Sequence, residues 1–306
     1  PVNHAVVCLH PHDGRVLFAI PWGEQTYIGT TDTDYKDDPA EVAATRDDVD
    51  YLIDAAGHYF PKCPLTHDDV IATWAGLRPL MAPVSESGDV DESAVSREHQ
   101  IIVGQDGLIT VAGGKLTTYR KMAEEVVDKT VKLLRLSNQL PKRLAAPHTD
   151  TEPLPGAVGW PEDDDHAAVA AKLREASKNT LTEAQAFHVA NRYGMRGMDI
   201  ARRIAAAPAL AEPLVPGRPE FVGLIAWSIE EEMAASVSDF MVRRTQLYYR
   251  DADQGLSCVD RVAAGMGELL GWTDEQRDAS AADYRDEVAR SRRWRSEEPG
   301  EGADGA

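Results

Sequence analysis

Val111-Ala112-Gly113-Gly114-Lys115-Leu116-Thr117-Thr118-Tyr119-Arg120 is the stretch on which the reading of this chain turns. An apolar run, Leu108 to Ala112, has strand character and ends in two glycines. A lysine and two threonines follow, and then an amphipathic pattern that predicts a helix to about Leu136. Glycine permits backbone close to a ligand and conformations with positive φ. The leading N–H groups of the helix have no intrahelical partner and favour negative charge. Lys115 adds a full positive charge at the same place. On this pattern two readings stand: an anion- or cofactor-binding turn, or a tight strand-to-helix turn with an exposed lysine.

Upstream, Ile101-Ile102-Val103 and Leu108–Ala112 flank Gln105-Asp106-Gly107 and predict a hairpin leading into that junction. Further back, Val6-Val7-Cys8-Leu9, Arg15 to Ile20 and Thr26 to Thr31 predict an antiparallel meander. Pro11-His12-Asp13-Gly14 turns the chain, and Pro21-Trp22-Gly23 is expected to break the second strand. Val49, Leu52, Ile53 and Ala56 carry helical spacing within 45–60. Residues 70–80 read as another strand and 84–96 as an acidic surface loop.

Downstream, five prolines and the acidic run Glu162-Asp163-Asp164-Asp165 mark 141–165 as a linker. After it the chain turns helical and alanine-rich. Thr182-Glu183-Ala184-Gln185 and Thr273-Asp274-Glu275-Gln276 have the form of capping boxes, and Gly194 sits where a C-terminal cap belongs. The second box opens a helix to about Trp294, and the tail 296–306 reads as disordered. No internal repeat is visible.

The length of 306 residues suits two domains, and 43% hydrophobic with 27% charged residues describes a globular protein. A net charge of -19 argues against a nucleic-acid partner and hints at a saline or anionic setting, so an anionic substrate needs a locally basic pocket. Cys8, Cys63 and Cys258 lie far apart without ligand spacing and read as reduced, buried or half-buried thiols of a cytoplasmic protein. No metal site is expected. No apolar stretch reaches membrane-spanning length, none of these residues reads as a signal peptide, and the sequence opens inside a predicted strand at Pro1 rather than at Met, which reads as a cut.

Gly300-Glu301-Gly302-Ala303-Asp304-Gly305 matches the dinucleotide fingerprint by letter, yet no strand precedes it and no helix can follow. Gly265 and Gly267 lie in a helical pattern without a third glycine. The chain therefore carries no usable Rossmann fingerprint.

Five blocks occur in order: Ile20-Pro21-Trp22; Ile28-Gly29-Thr30-Thr31-Asp32-Thr33-Asp34-Tyr35; Trp74-Ala75-Gly76-Leu77-Arg78-Pro79-Leu80; Ser96-Arg97-Glu98; and Gly113 to Arg120. Together they closely resemble the FAD-dependent glycerol-3-phosphate dehydrogenases, a branch of the D-amino-acid-oxidase-like flavoproteins. The resemblance runs through Arg243-Arg244-Thr245 and covers about residues 5–295. It implies an α/β fold. Residues 1–145 would be the C-terminal part of a FAD-binding flavoprotein domain with an antiparallel substrate-side sheet, and 146–295 an all-α domain. The family's N-terminal Rossmann half does not occur within these residues, which reads either as a fragment or as an upstream part lying on sequence outside them. Residues 1–306 alone are therefore expected to hold FAD weakly or not at all.

The resemblance also implies roles. Arg78 and Arg97 would bind the substrate phosphate, a task for which the guanidinium fork is suited. Lys115, with Arg97, would serve catalysis by stabilising charge after hydride departure. Gly113, Gly114, Lys115, Leu116 and Thr117 would contact the isoalloxazine edge of FAD. Thr30, Thr31 and Asp32 look like loop residues that support the site wall, with Asp32 as readily a turn-stabilising carboxylate as a catalytic one. His4 and His99 are candidate bases beside purely structural alternatives, and the general base stays unassigned. The implied reaction is oxidation of sn-glycerol 3-phosphate to dihydroxyacetone phosphate, with electrons passing through FAD to quinone. A glycerol-3-phosphate oxidase, another flavin oxidase, or a non-catalytic fragment remain alternatives. Arg290-Ser291-Arg292-Arg293-Trp294-Arg295, a basic patch in an acidic chain, reads either as a helix end complementing its dipole or as a peripheral contact with the inner face of the cell membrane. A homo-oligomer is compatible with the sequence.

Overall fold

The structure, a computed structural model, describes residues 4–78, 98–137, 139–140 and 144–298. The chain forms two compact units, Pro1–Gly76 with Gly159–Ala306, and Leu77–Val158.

The first unit opens with the expected meander, β1 (Val6–Leu9), β2 (Val16–Trp22) and β3 (Gln25–Gly29), in the order β1-β2-β3. Val6 pairs with Ala19 and Leu9 with Val16, while Trp22 pairs with Gln25 across the next turn. Pro21-Trp22 therefore does not break β2, as the sequence suggested. Pro21 lies beyond Ala19, the last residue that β1 reaches, where the strand has one neighbour and a missing N–H is tolerated. Alternation along the strands turns Cys8 and Leu17 inward onto Ala55. Val7, Leu9, Val16 and Phe18 point the other way and are exposed.

Helix α1 (Arg46–Tyr59) supplies that inner cover. Thr45 and Asp48 form a reciprocal capping box, with Asp48 N–H donating to Thr45 Oγ1 at 3.2 Å and Thr45 N–H to Asp48 Oδ2 at 2.9 Å. The Tyr59 hydroxyl ties the far end of the helix to β1, donating to Leu9 O at 2.6 Å and accepting from Leu9 N–H at 3.1 Å. Tyr51 stacks on His10 with ring centroids 3.7 Å apart and donates to Asp13. Burial, and then the Asp13 carboxylate, push its hydroxyl up to about 12.

Residues 70–78 form no strand, contrary to the sequence reading. The carbonyl groups of Val70 and Thr73, like that of His67 just before them, meet side chains rather than a β neighbour. Arg295 donates to His67 O at 3.1 Å and also to Val70 O, and the Tyr248 hydroxyl reaches Thr73 O at 3.4 Å.

The helical part of this unit contains α3 (His166–Ala176), α4 (Glu183–Tyr193), α5 (Gly197–Ala206), α6 (Gly223–Glu230), α7 (Leu247–Arg250), α8 (Val259–Leu270) and α9 (Asp274–Ser291). Both capping boxes form, and Gly194 takes a positive φ of 57° at the end of α4. Leu173, Val189, Ile204, Phe221, Phe240 and Tyr284 belong to one continuous core. The Arg243-Arg244-Thr245 block ends the π-helical turn Asp239–Arg244, and the buried Thr245 hydroxyl donates to Phe240 O at 2.8 Å. Burial among Arg192, Arg250 and Arg218 keeps His188 neutral, pushing its imidazole down to about 3. Cys8 and Cys258 are buried, but Cys63 is exposed, outside the expectation for three covered thiols.

The basic patch at the end of α9 works as a set of fastenings. Arg290 donates to Ala40 O at 3.2 Å, Arg293 to Glu41 O at 3.1 Å and Arg292 to Asp253 O at 3.1 Å. Trp294 is 1% exposed, and the Arg295 guanidinium lies 4.6 Å from the centre of its ring. The start of the tail is ordered too, since Glu297 accepts from Arg46 N–H at 2.9 Å at the opening of α1. The rest of it, from 299 onward, lies outside the described residues, as does the 84–96 loop.

In the second unit, the expected hairpin pairs β4 (Gln100–Val103) with β5 (Ile109–Ala112), and α2 (Tyr119–Leu136) follows through the 3₁₀ turn Leu116–Thr118. Although α2 is amphipathic, none of its residues is fully buried.

Candidate flavin and phosphate site

The hairpin register decides what surrounds the glycine pair. Gln100 pairs with Ala112, which carries Glu98 and His99 back alongside Gly113 and Gly114. The two glycines have φ of +75° and +86°, where residues with a Cβ are strained. A Cβ on Gly113 would stand 2.8 Å from the Glu98 carbonyl oxygen, and one on Gly114 would stand 3.1 Å from His99 Cβ. The sequence reading explained these glycines by close approach to a ligand. In the structure, packing of the chain against itself already demands them.

The residues just beyond them face outward. Lys115 is extended, and its carbonyl accepts from Thr118 N–H at 3.0 Å and from Thr118 Oγ1 at 2.9 Å, closing the turn. Lys115 and Thr117 are exposed, and Leu116 is 88% exposed. Among the described residues Lys115 has no ion-pair partner. The turn therefore presents a cation and an apolar side chain beside the leading N–H groups of a helix. A flat apolar ring with an anionic edge suits that set, so these residues fit a flavin.

His99 Nε2 lies 2.8 Å from Glu125 Oε2, pinning the hairpin to α2 beside the turn. That pairing favours the structural alternative for His99. His4 is exposed at the opening of the chain. Arg78 is exposed at the end of the irregular 70–78 stretch, while Arg97 lies outside the described residues. Asp32 gives its carbonyl to Arg15 Nη1 at 2.8 Å, a loop-holding contact. An open cleft of about 360 Å³, lined by His12, Asp54, His58 and Leu65 among others, includes none of the candidates. Among the described residues no group of three or more His, Cys, Asp or Glu side chains is placed to hold a metal ion.

Sequence reasoning missed a cluster of four rings. Trp22 lies 5.6 Å from Tyr27, 6.1 Å from Trp74 and 5.3 Å from Tyr249, and Trp74 lies 5.0 Å from Tyr249. Two members stood inside the quoted blocks, but nothing local connects them to Tyr249.

Residues 1–120 match the family described as FAD dependent oxidoreductase, and residues 147–277 match the C-terminal domain of alpha-glycerophosphate oxidase. The chain thus matches both of these domains, one after the other, over most of its length. It is 38% identical over 277 residues to the aerobic glycerol-3-phosphate dehydrogenase of Bacillus subtilis, covering 90% of this chain and 48% of that protein. It is 34% identical over 269 residues to glycerol-3-phosphate dehydrogenase 2 of Mycobacterium tuberculosis, covering 88% and 43%. The solved glycerol-3-phosphate dehydrogenase from Bacillus halodurans, complexed with FAD, superposes with a TM-score of 0.75 at 30% identity, covering 95% of this chain and 54% of that one. The chain thus spans about half the length of the curated relatives it matches.

Proposed function

We propose that this chain is the substrate-side and C-terminal portion of an FAD-dependent glycerol-3-phosphate dehydrogenase. It would oxidise sn-glycerol 3-phosphate to dihydroxyacetone phosphate and pass electrons to quinone. The observation that carries the reading is the outward-facing Lys115-Leu116-Thr117 turn between β5 and α2, within a chain that matches the FAD dependent oxidoreductases. Residues 1–145 would bind FAD and substrate and 146–295 would form the helical domain, a division supported by family matches over 1–120 and 147–277.

FAD, when bound, supplies the hydride acceptor. Gly113, Gly114, Leu116 and Thr117 would hold the ring edge through the backbone of the turn. Lys115 would stabilise negative charge as it develops there. Arg78 and Arg97 would grip the substrate phosphate and so fix the carbon that reacts. The relatives' names support the substrate class. Quinone as acceptor is the finer part of the proposal, as is a cytoplasmic location with peripheral contact at the inner membrane face. None of the described helices is long and apolar enough to cross a membrane.

Anaerobic addition of sn-glycerol 3-phosphate to the reconstituted full-length, FAD-loaded enzyme that contains this chain tests the reaction. Bleaching of the flavin with stoichiometric dihydroxyacetone phosphate is expected, and a flavin that stays oxidised overturns the reading. A second reading, oxidation with oxygen as acceptor, is favoured by the alpha-glycerophosphate oxidase match. Hydrogen peroxide formed in step with product would establish it.

Lys115→Met keeps most of the side chain and removes its charge. The substitution lowers the flavin midpoint potential by on the order of 30 mV, the shift that about 1.4 kcal/mol produces in a two-electron couple. Spectroelectrochemical titration of the parent and variant full-length holoenzymes at one pH and salt concentration measures it. Coincident midpoints would remove Lys115 from the flavin.

A further inference from the structure

Gly114 sits in a slot whose walls come from two elements of the second unit. A Cβ at this position would stand 3.1 Å from His99 Cβ, at the approach to β4, and 2.7 Å from both Sδ and Cε of Met122 on α2. Glu125 lies three residues beyond Met122 on the same face of α2. It meets the His99 ring, with Nε2 and Oε2 2.8 Å apart. A carboxylate offers only acceptor oxygens, so the imidazole supplies the proton of this bond.

His99 therefore has two tasks. Its Cβ walls the glycine, and its ring fastens that wall to the helix. The link closes a ring of contacts. From the glycine pair the chain runs through Lys115 and the Leu116–Thr118 turn into α2, and Glu125 returns across His99 to the glycines. The other wall is soft, since a methionine side chain adapts to what it meets, and glycine itself resists little. The His99–Glu125 pair is also partly in solvent, at 20% and 41% exposure of the two side chains. A pair so open adds little stability, so its contribution is to location.

We propose that Glu125 is a positioning residue which, acting through His99, holds the Gly113–Lys115 turn in the shape that presents Lys115 and the free N–H groups to the flavin. The inference rests on the reading of that turn as the flavin contact, and it adds what fixes the turn.

The test uses the reconstituted full-length, FAD-loaded enzyme with Glu125→Ala, Glu125→Gln, His99→Leu and Lys115→Met. Alanine suits a helix and Glu125 is on its surface, so Glu125→Ala folds as the parent does. It frees His99, and the flavin midpoint potential falls, though by less than in Lys115→Met. FAD binds about three- to tenfold more weakly, within the net worth of one hydrogen bond. The sign of the potential shift separates position from charge. Loss of the Glu125 charge alone would favour the anionic reduced flavin and raise the midpoint. Glu125→Gln loses the same charge and keeps an acceptor for His99, so FAD affinity returns to within about twofold of the parent and the midpoint does not fall. His99→Leu keeps a wall beside Gly114 and breaks the bond, repeating Glu125→Ala, and combining the two adds nothing further. Spectroelectrochemical titration gives the midpoints, and quenching of FAD fluorescence by the apoenzyme gives the affinities. A midpoint in Glu125→Ala that rises or stays at the parent value overturns the inference if Lys115→Met lowers it, and so does a Glu125→Gln midpoint as low as that of Glu125→Ala. If Lys115→Met leaves the midpoint unchanged as well, the flavin reading of the turn has failed and the inference falls with it.

Discussion

Arg78→Lys in the reconstituted full-length, FAD-loaded enzyme raises the apparent KM for sn-glycerol 3-phosphate about 10- to 150-fold. The range corresponds to about 1.5–3 kcal/mol, the worth of a hydrogen bond to a charged group. Lysine keeps the positive charge and loses the planar fork, so the substitution isolates bidentate geometry from simple attraction. A phosphate far from the reacting carbon is held alike in ground and transition states. The loss therefore falls mainly on KM, with a smaller effect on kcat through misplacement of the carbon. Because Arg78 is exposed, folding is little disturbed, and the unfolding temperature stays close to that of the parent. Steady-state kinetics over a wide substrate range decides the matter. Unchanged constants would remove Arg78 from the substrate site.

Trp294→Ala destabilises the first unit by about 3–5 kcal/mol, the cost of emptying a large aromatic from a packed interior. Its ring is 1% exposed, with the His67 ring 5.6 Å away and the Arg295 guanidinium over one face. Removing it leaves a cavity and also frees Arg295, which holds the carbonyls of His67 and Val70. Denaturant unfolding followed by tryptophan fluorescence and circular dichroism measures the change. A loss below about 1 kcal/mol would show that the last turn of the chain is not part of the core. Trp294→Phe, which retains a ring, should fall well short of the alanine value.

The basic patch shows why local reading has a limit. Four arginines and a tryptophan in an acidic chain have the composition of a membrane-surface helix or of a dipole-complementing helix end. In the fold, three of the guanidiniums take backbone carbonyls at residues 40, 41, 67 and 70, and the tryptophan is inside. Nothing in the hexapeptide specifies partners more than two hundred residues away. The described part of the 70–80 segment, 70–78, forms no strand for the same reason. Its apolar, β-branched composition is what a strand needs, but a strand also needs a neighbour, and over 70–78 the neighbours are side chains of the helical layer.

What the sequence determined alone was whatever depends on spacing over a few residues. The meander, the hairpin and α2 follow from alternation and helical periodicity. The capping boxes at Thr182 and Thr273 follow from a four-residue rule, and the positive φ of Gly194 from its place at a helix end. Five ordered blocks carried the family resemblance. Tertiary structure decided what those elements meet. It set Glu98 and His99 beside Gly113 and Gly114 through the hairpin register, so that the glycines answer to the chain's own backbone. It brought Tyr249 to Trp74, and Arg295 to Val70. Local patterns are legible because backbone geometry repeats every two or 3.6 residues. Contacts between distant segments obey no such period, since packing requires only complementary surfaces, and many sequences supply them.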